Sequence, residues 1–357
     1  MSLRRHAYEQ ANRLLLAGPA PLRRAAVGAA ALLPFARVLP RFMMVEPTNA
    51  CDLACPLCPV GARTMTRARG FLDPDAYRGL LDEVRTHVRR ILMIFAGEPL
   101  LHPRIGELIA ATNAAGIHCG VGTHGNLDRM QEIVDAGVDA VLFALDGTTQ
   151  ATYGVYRRGG SLDTALANLA RLVAARDRRP GGGPAVTLQM VVMRHNVHQV
   201  GEFVRLGADA GVDAVSLRPV CVNDFFGDEP LDLAERWTPP DDLARALGLH
   251  RDGWRGARPP LCEWPLQSVV LHNGDVTVCC YDADGRHVVG NAFREGFATV
   301  WHGAALAAAR RRVVRQSLPL CARCDLNMLE PVVFDPRQPP AHLLPALDAT
   351  TAAAARG

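Results

Sequence analysis

The chain contains no lysine, so all 39 of its basic residues are arginine. That one-sidedness fits the codon bias of a GC-rich genome better than a functional device. Positive charge is not in excess either. The 36 acids leave a net charge of +3, which is not a nucleic-acid signature. No apolar run is long and unbroken enough to span a bilayer, and no cleavable secretory signal is legible. The ten cysteines fall at irregular spacings, which argues against a disulfide framework. Metal-bound or reduced thiols in a cytoplasmic protein fit them better. A length of 357 residues allows one large domain or two smaller ones.

From residue 41 onward, short apolar runs alternate with helical patterns. The runs at 41–46, 91–95, 117–122, 139–145, 186–193 and 213–218 read as strands. Helices are expected at 74–88, 103–115, 128–136, 161–177 and 198–209. In the first of these Tyr77, Leu80, Leu81, Val84 and Val88 share one face, and Asp73-Pro74 is a start signal. Six strand–helix units imply a parallel sheet with right-handed crossovers, either doubly wound or a partial barrel. Both place ligands at the carboxyl ends of the strands. The polar signals described below sit at those ends.

The densest signal is Cys51, Cys55 and Cys58, spaced C-x3-C-x2-C. Three thiolates on one loop can hold three irons of a cubane cluster, and a cubane normally takes four. The fourth iron would stay open to chemistry. A zinc site more often shows paired C-x2-C knuckles. A second segment, Ala96-Gly97-Glu98-Pro99, ends the run at 91–95. Together the two segments resemble the radical S-adenosylmethionine superfamily, whose members carry Gly-Gly-Glu-Pro where this chain has alanine first. The resemblance covers about residues 41–220 and implies a partial (β/α)6 barrel. It also implies a [4Fe-4S] cluster whose open iron chelates the methionine part of S-adenosylmethionine. Reduction then releases a 5′-deoxyadenosyl radical. By the same resemblance, Ala96, Gly97, Glu98 and Pro99 contact the cofactor amino group.

A second cysteine set follows. Cys262 precedes a hairpin whose turn is Asn273-Gly274-Asp275, between 267–272 and 276–281. Cys279 and Cys280 lie on its return strand, and Cys321 and Cys324 form a C-x2-C after a helix at about 303–316. Cys262, Cys279, Cys321 and Cys324 make four ligands, and spacing alone fits either zinc or a closed cubane. Their order resembles the twitch half-module of the SPASM group, over about 260–325. That implies one auxiliary [4Fe-4S] cluster, hence two clusters in total. An external electron donor such as flavodoxin or ferredoxin is then expected.

Further contacts follow from the resemblance. Gly122-Thr123-His124-Gly125-Asn126 resembles the family's Thr-Asn-Gly turn, with His124 in place of asparagine. Asp146 stands where the family often places a ribose contact. Arg218 could pair with the cofactor carboxylate or a substrate acid. Plain turn chemistry would also put Gly, Asn and Asp at these places. Tyr153 and Arg157 lie in a segment common in the family without an assigned role.

Three thiols remain. Cys119 sits inside a strand and reads as a small hydrophobe. Cys280 should point to the face opposite Cys279, and either replaces Cys279 as ligand or faces the substrate. Cys221 falls just past the last barrel strand, where substrate should lie. In twitch enzymes of sugars and aminocyclitols, a cysteine that returns a hydrogen atom inverts a carbinol centre, and loss of an electron to the auxiliary cluster instead gives a ketone. The expectation is therefore epimerisation of a small sugar-like natural product, with Cys221 as donor and Cys280 in reserve. A packed thiol is the plainer reading of Cys221. Dehydrogenation, ribosomal-peptide maturation and a metal-stapled binding protein are the alternatives.

Residues 1–40 are basic and amphipathic, suited to packing outside the barrel or to peripheral membrane contact. Residues 221–260 read as a bridging insertion; its Asp224, Asp228 and Glu229, and Glu263 beyond it, are candidate contacts to an amino sugar or solvated surface. The cluster domain spans 261–330, and the Pro- and Ala-rich tail 331–357 is expected to be poorly ordered.

Overall fold

A computed structural model describes residues 39–221, 236–249, 262, 264–322, 324 and 331–354. The basic arm at 1–38, Asp224, Asp228, Glu229 and Glu263 lie outside the described residues.

Six parallel strands come first: β1 (Phe42–Val45), β2 (Arg90–Met93), β3 (His118–Thr123), β4 (Ala140–Ala144), β5 (Ala185–Val192) and β6 (Ala214–Pro219). They pair in sequence order. The crossovers are α1 (Pro74–Val84), α2 (Ile105–Ala114), α3 (Met130–Asp135), α4 (Gln150–Tyr156), α5 (Leu162–Arg178) and α6 (Val200–Asp209). Right-handed crossovers taken in strand order keep every helix on one face. A doubly wound sheet would reverse its order partway, so the sheet is a partial barrel, as expected. α1 begins where Asp73 caps it, accepting from the Asp75 N–H with Pro74 in the first turn, the arrangement that suits an N-cap and N1 proline.

The two faces of the sheet are unequal. Met43, Ile91, Val121, Phe143, Leu188 and Val215 lie in the main hydrophobic core, on the helix side. Alternate positions such as Leu92, Leu142, Ala144, Gln189 and Arg218 are only half-buried. Side chains alternate along a strand, so the second set lines the inside of the curve. Glycine at 120 and 122 leaves room there for the side chains of Leu92 and Ile94.

The second domain continues the same sheet. After α7 (Asp241–Ala246), β7 (Ser268–Val270) pairs in parallel with β1, and β8 (Asp275–Thr277) and β9 (Val288–Asn291) follow antiparallel. Sequence reading gave the hairpin but not β9, whose residues sit beyond a long loop. Two short helices lead to α8 (Ala304–Val314). The tail differs from expectation. β10 (Val332–Phe334) pairs antiparallel with β6, and α9 (Leu344–Ala354) packs on α6. Leu343, Ala346 and Leu347 join the core, so an Ala-rich composition read as disorder is an apolar helical face. No described helix is long and apolar enough to cross a membrane.

A buried carboxylate ties the domains together. Glu46, at the end of β1, is fully buried and accepts from both terminal nitrogens of Arg67, at 2.9 and 2.6 Å, and from His272 Nδ1 at 2.9 Å. Arg67 in turn donates through Nε to the Ala283 carbonyl, and Asp284 accepts from the N–H groups of Thr66 and Arg67. Burial pushes the Glu46 pKa up, but the bonds from His272 and Arg67 outweigh it and hold it below the usual value. A depressed carboxyl contributes stability above its unfolded pKa and loses it as pH falls through the folded value.

Glu46→Ala is expected to cost about 3 kcal/mol, because it strands the partners of a buried pair. It should also flatten the acid side of the stability profile relative to wild type. Denaturant titrations between about pH 3 and pH 7, bracketing the ordinary glutamate pKa, check both effects.

Candidate active site

The loop from 47 to 72 is closed on itself. Thr48 Oγ1 donates to the Gly70 carbonyl at 2.7 Å, and Asn49 bonds Ala68 and Gly70 through its amide. An antiparallel bridge joins Thr48 to Phe71. The three cysteines are therefore held between two pinned ends. Within the loop, a side chain at Gly61 would lie 2.4 Å from the Cys55 nitrogen. Burial raises the Cys55 pKa to about 12 and raises Cys58 also, and neighbouring cysteine charges add to both. Such thiols stay neutral unless a metal takes their protons. Arg157, whose NH1 lies 3.9 Å from Cys55 Sγ, works in the opposite direction. The donor set fits a thiolate-bound cluster.

The Gly97 turn abuts this loop. Its φ is +79°, and a Cβ there would lie 2.4 Å from the Thr48 carbonyl oxygen and 2.6 Å from that of Ala50. Only glycine suits that conformation and approach. The Glu98 N–H donates to the Ala50 carbonyl at 2.7 Å. The Glu98 carboxylate is buried and accepts from the N–H groups of Leu100 and His124, at 3.1 and 2.9 Å. Ala96 and Pro99 are buried too, and Pro99 opens the short helical turn that Glu98 caps. At this turn the Glu98 side chain serves to brace β2 against β3.

Past β3, Thr123 is buried, and its hydroxyl accepts from the Gly125 N–H at 3.0 Å. His124 turns toward the cysteine loop. Its Nε2 lies 2.9 Å from Asp52 Oδ1 and 3.3 Å from Glu98 Oε2. Sulfur of Cys51, an Asp52 oxygen and a ring nitrogen of His124 lie within 4.8 Å of one another. Burial alone would lower the His124 pKa, but Glu98, Asp52 and Cys51 outweigh it and raise it to about 10. The Asn126 N–H, however, donates to Nδ1 at 3.1 Å. A second ring proton would face that donor, so the geometry favours the tautomer with hydrogen on Nε2.

Asp146, at the end of β4, is fully buried. It accepts from Arg157 Nε at 2.6 Å and from the Val191 N–H at 2.7 Å. Arg157 thus bridges Asp146 and Cys55, a placement the sequence did not reveal. The one available signal was a basic pair, Arg157-Arg158, just before Gly159-Gly160. Arg218 lies on the inner face of β6, opposite Val191. Beside it, Met193, Val220 and Trp237 form a small apolar cluster with Leu57, Tyr156 and Val191. Trp237 meets Tyr156 and His195 edge-on, at 5.8 and 5.6 Å. An isolated tryptophan in the polar insertion was its only sequence signal. Cys221 directly follows this wall and is half-buried.

The second thiol set also gathers. Charges on Cys279, Cys262 and Cys324 act on Cys280 and, with burial, push its pKa well up, while Cys279 and Cys262 do the same to Cys321. β8 ends at Thr277, so strand alternation does not set the direction of Cys280, and the Tyr281 N–H donates to Cys279 Sγ at 3.4 Å. Asp282 shapes the loop that follows, accepting from Thr277 Oγ1 and from the N–H groups of Arg286 and His287. Cys280 thus stands where the charges of Cys279, Cys262 and Cys324 are felt. Cys119 is buried in the core, as expected. None of the ten cysteines, all described, forms a disulfide.

Comparison with known proteins agrees with this division. A family model for the radical SAM superfamily matches residues 45–207, and one for an iron–sulfur cluster-binding domain, SPASM, matches 262–325. The chain is 27% identical over 205 residues to the tungsten-containing aldehyde ferredoxin oxidoreductase cofactor-modifying protein of Pyrococcus furiosus, covering 54% of this chain and 57% of that one. It is 27% identical over 301 residues to the mycofactocin maturase MftC of Mycobacterium tuberculosis, covering 78% and 74%. The chain spans about half the length of several other curated relatives it matches. Among solved structures, Streptococcus suis SuiB bound to precursor peptide SuiA superposes with a TM-score of 0.59 at 16% identity, covering 86% of this chain and 75% of that one. These domains carry [4Fe-4S] clusters and S-adenosylmethionine.

Anaerobic reconstitution is expected to load about eight irons, the content of two cubanes, and about four in a Cys51/Cys55/Cys58→Ala triple variant. Gly97→Ala, by driving a methyl into the cysteine loop, should fall toward the same lower value. Iron and sulfide analysis reads all three.

Proposed function

Because the chain belongs to the radical S-adenosylmethionine superfamily, with a SPASM-type iron–sulfur domain behind its barrel, we propose that it removes a hydrogen atom from an unactivated carbon of a peptide substrate and oxidises that carbon. The observation that carries this reading is the convergence of two separate thiol groups on one continuous sheet. Cys51, Cys55 and Cys58 hold the first cluster. Four of the second group close the other, Cys262, Cys321 and Cys324 with Cys279 or Cys280. A cluster held by Cys51, Cys55 and Cys58 would supply one-electron cleavage of bound S-adenosylmethionine, and one held by the second group would offer an electron acceptor for substrate oxidation.

The protein's own groups prepare the site. Gly97 lets the backbone approach the cofactor amino group. Arg157, anchored on Asp146, keeps positive charge beside Cys55. Arg218 on the inner face suits a carboxylate, of the cofactor or of substrate. Trp237, Tyr156 and Met193 make an apolar wall that excludes water from a carbon radical. A peptide substrate is supported by the maturase among the relatives, which aligns with 78% of this chain, more than by any feature that would select a sugar.

A second reading is favoured by Cys221 at the end of that wall. A thiol there can return a hydrogen atom to the opposite face of the substrate radical, and the sulfur radical left behind is restored by one electron and one proton from the external donor. The outcome is then epimerisation rather than oxidation. On this reading Cys280, adjacent to Cys279, is left to the auxiliary group rather than to hydrogen return.

Reduction of the loaded enzyme with S-adenosylmethionine is expected to release 5′-deoxyadenosine, and its absence would refute the enzymatic reading altogether. Turnover in D2O separates the two outcomes. Oxidised product without solvent deuterium at carbon, unchanged in Cys221→Ala, supports oxidation. Deuterium at an inverted carbon, abolished in Cys221→Ala, supports epimerisation.

A further inference from the structure

The outer side of the cysteine loop is one-sidedly basic. Between Asp52 and Asp73 the chain has Arg63, Arg67 and Arg69 and no acid. Arg67 is spent inward on Glu46. Arg63 and Arg69 are exposed, and neither has an ion-pair partner among the described residues. Arg63 has a φ of +60°, which glycine would adopt more easily, so the turn itself does not call for arginine. Both arginines flank Thr66, whose N–H and hydroxyl donate to Asp284 at 2.6 and 2.7 Å. The Asp284 side chain is 2% exposed, so its charge is turned inward, while Arg286, 3.6 Å from it, is 49% exposed. Three exposed arginines therefore lie within three residues of one crossing between two chain segments. Phe71, 51% exposed, adds apolar surface two residues beyond Arg69. The flanking acids are engaged elsewhere: Asp52 on His124, Asp73 as the cap of α1, Asp75 on Arg78. The crossing also joins the two thiol groups. Thr66 lies on the loop that carries Cys51, Cys55 and Cys58, and Asp284 on the loop that follows Cys279 and Cys280.

We propose that this basic seam, Arg63, Arg69 and Arg286 with Phe71 at its margin, is the docking surface for a small acidic one-electron carrier protein of the flavodoxin or ferredoxin type. The inference rests on the reading of Cys51, Cys55 and Cys58 as cluster ligands. The carrier gives up one electron, and the metal group held by those cysteines takes it. Opposite charge on two surfaces speeds their encounter and selects the faces that meet. A net charge of +3 spread over 357 residues steers little. The same sign gathered at one seam, without acids to cancel it, steers an acidic partner to the loop that bears the ligands. Guanidinium groups also pair with carboxylates through two parallel hydrogen bonds, which fixes orientation as well as attraction. The exposed phenyl ring offers an apolar contact that salt does not screen. A protein seated over the crossing touches both cysteine-bearing segments.

The test uses the anaerobically reconstituted full chain and two purified probes, an acidic flavodoxin and an acidic ferredoxin. Hydrogen exchange of the wild type with each probe locates the contact, and protection is expected at 61–71 and 283–287. Calorimetric titration then compares wild type, Arg63→Glu/Arg69→Glu, Arg63→Lys/Arg69→Lys and a remote control on α5, Arg171→Glu/Arg178→Glu. The first variant is expected to bind about tenfold more weakly at low salt, with the difference shrinking as salt rises toward about 0.5 M. The lysine variant and the remote control should stay near wild type. With dithionite in place of the carrier, release of 5′-deoxyadenosine should be equal in all four proteins. Protection elsewhere, no binding of either probe, or an equal loss of binding in the remote control would overturn the proposal. So would a loss of the dithionite-driven reaction in both arginine variants, since that assigns the two residues to holding the loop rather than to docking. No 5′-deoxyadenosine from wild type with dithionite would instead overturn the cluster reading beneath it.

Discussion

One buried carboxylate organises this molecule. Glu46 ends β1, and in an open barrel β1 is the strand that must join two domains. A carboxylate with no solvent exposure needs partners for its charge and its lone pairs. It finds Arg67 on the far limb of the cysteine loop and His272 in the second domain's hairpin. Arg67 passes the connection on to the loop carrying Ala283 and Asp284. Three segments distant in sequence are thereby referred to a single point.

Metal chemistry depends on that reference. The first thiol group sits on the loop that Arg67 closes, and the second flanks the hairpin whose turn carries His272, with Cys262 before it and Cys279 and Cys280 just after. The packing is close enough that a Cβ at Gly70 would lie 2.4 Å from His272 Nε2. Neither thiol group could shift freely against the other while these contacts hold. The parallel pairing of β1 with β7 adds backbone hydrogen bonds to the same junction. The sheet and the ion-pair network together keep the two thiol groups in fixed relation.

The mouth of the barrel shows another division. Half-buried residues such as Leu92, Leu142, Gln189 and Arg218 line its inner face. Charged groups near the cysteines are paired inward: Glu98 on backbone N–H groups, Asp146 on Arg157. Such pairing leaves the walls to aromatic and aliphatic side chains, chiefly Tyr156, Trp237 and Met193. An apolar, water-poor enclosure suits a carbon radical, which gains nothing from solvation and is quenched by stray donors.

How much of this was legible beforehand follows from the range of the forces involved. Strand and helix placement depends on local periodicity, and the six barrel strands and their helices lie within a few residues of where apolar spacing puts them. The cysteine sets were legible because metal geometry demands close spacing, and the radical SAM assignment followed from them. The partners of Glu98, Asp146 and His124 were not, since each is decided by side chains 11 to 72 residues away. Alternation could not decide between the two readings of Cys280, because β8 ends at Thr277 and the Asp282 N–H donates to the Cys279 carbonyl just beyond it. The tail was misread because composition alone does not show that an alanine-rich face will find α6 to cover it. Sequence by itself determined the alternating pattern, the cysteine-bearing loops and the glycine at 97. Only the tertiary structure decided which charges neutralise one another and which thiols stand together, because pairing energies in a buried site depend on distances that chain order does not encode.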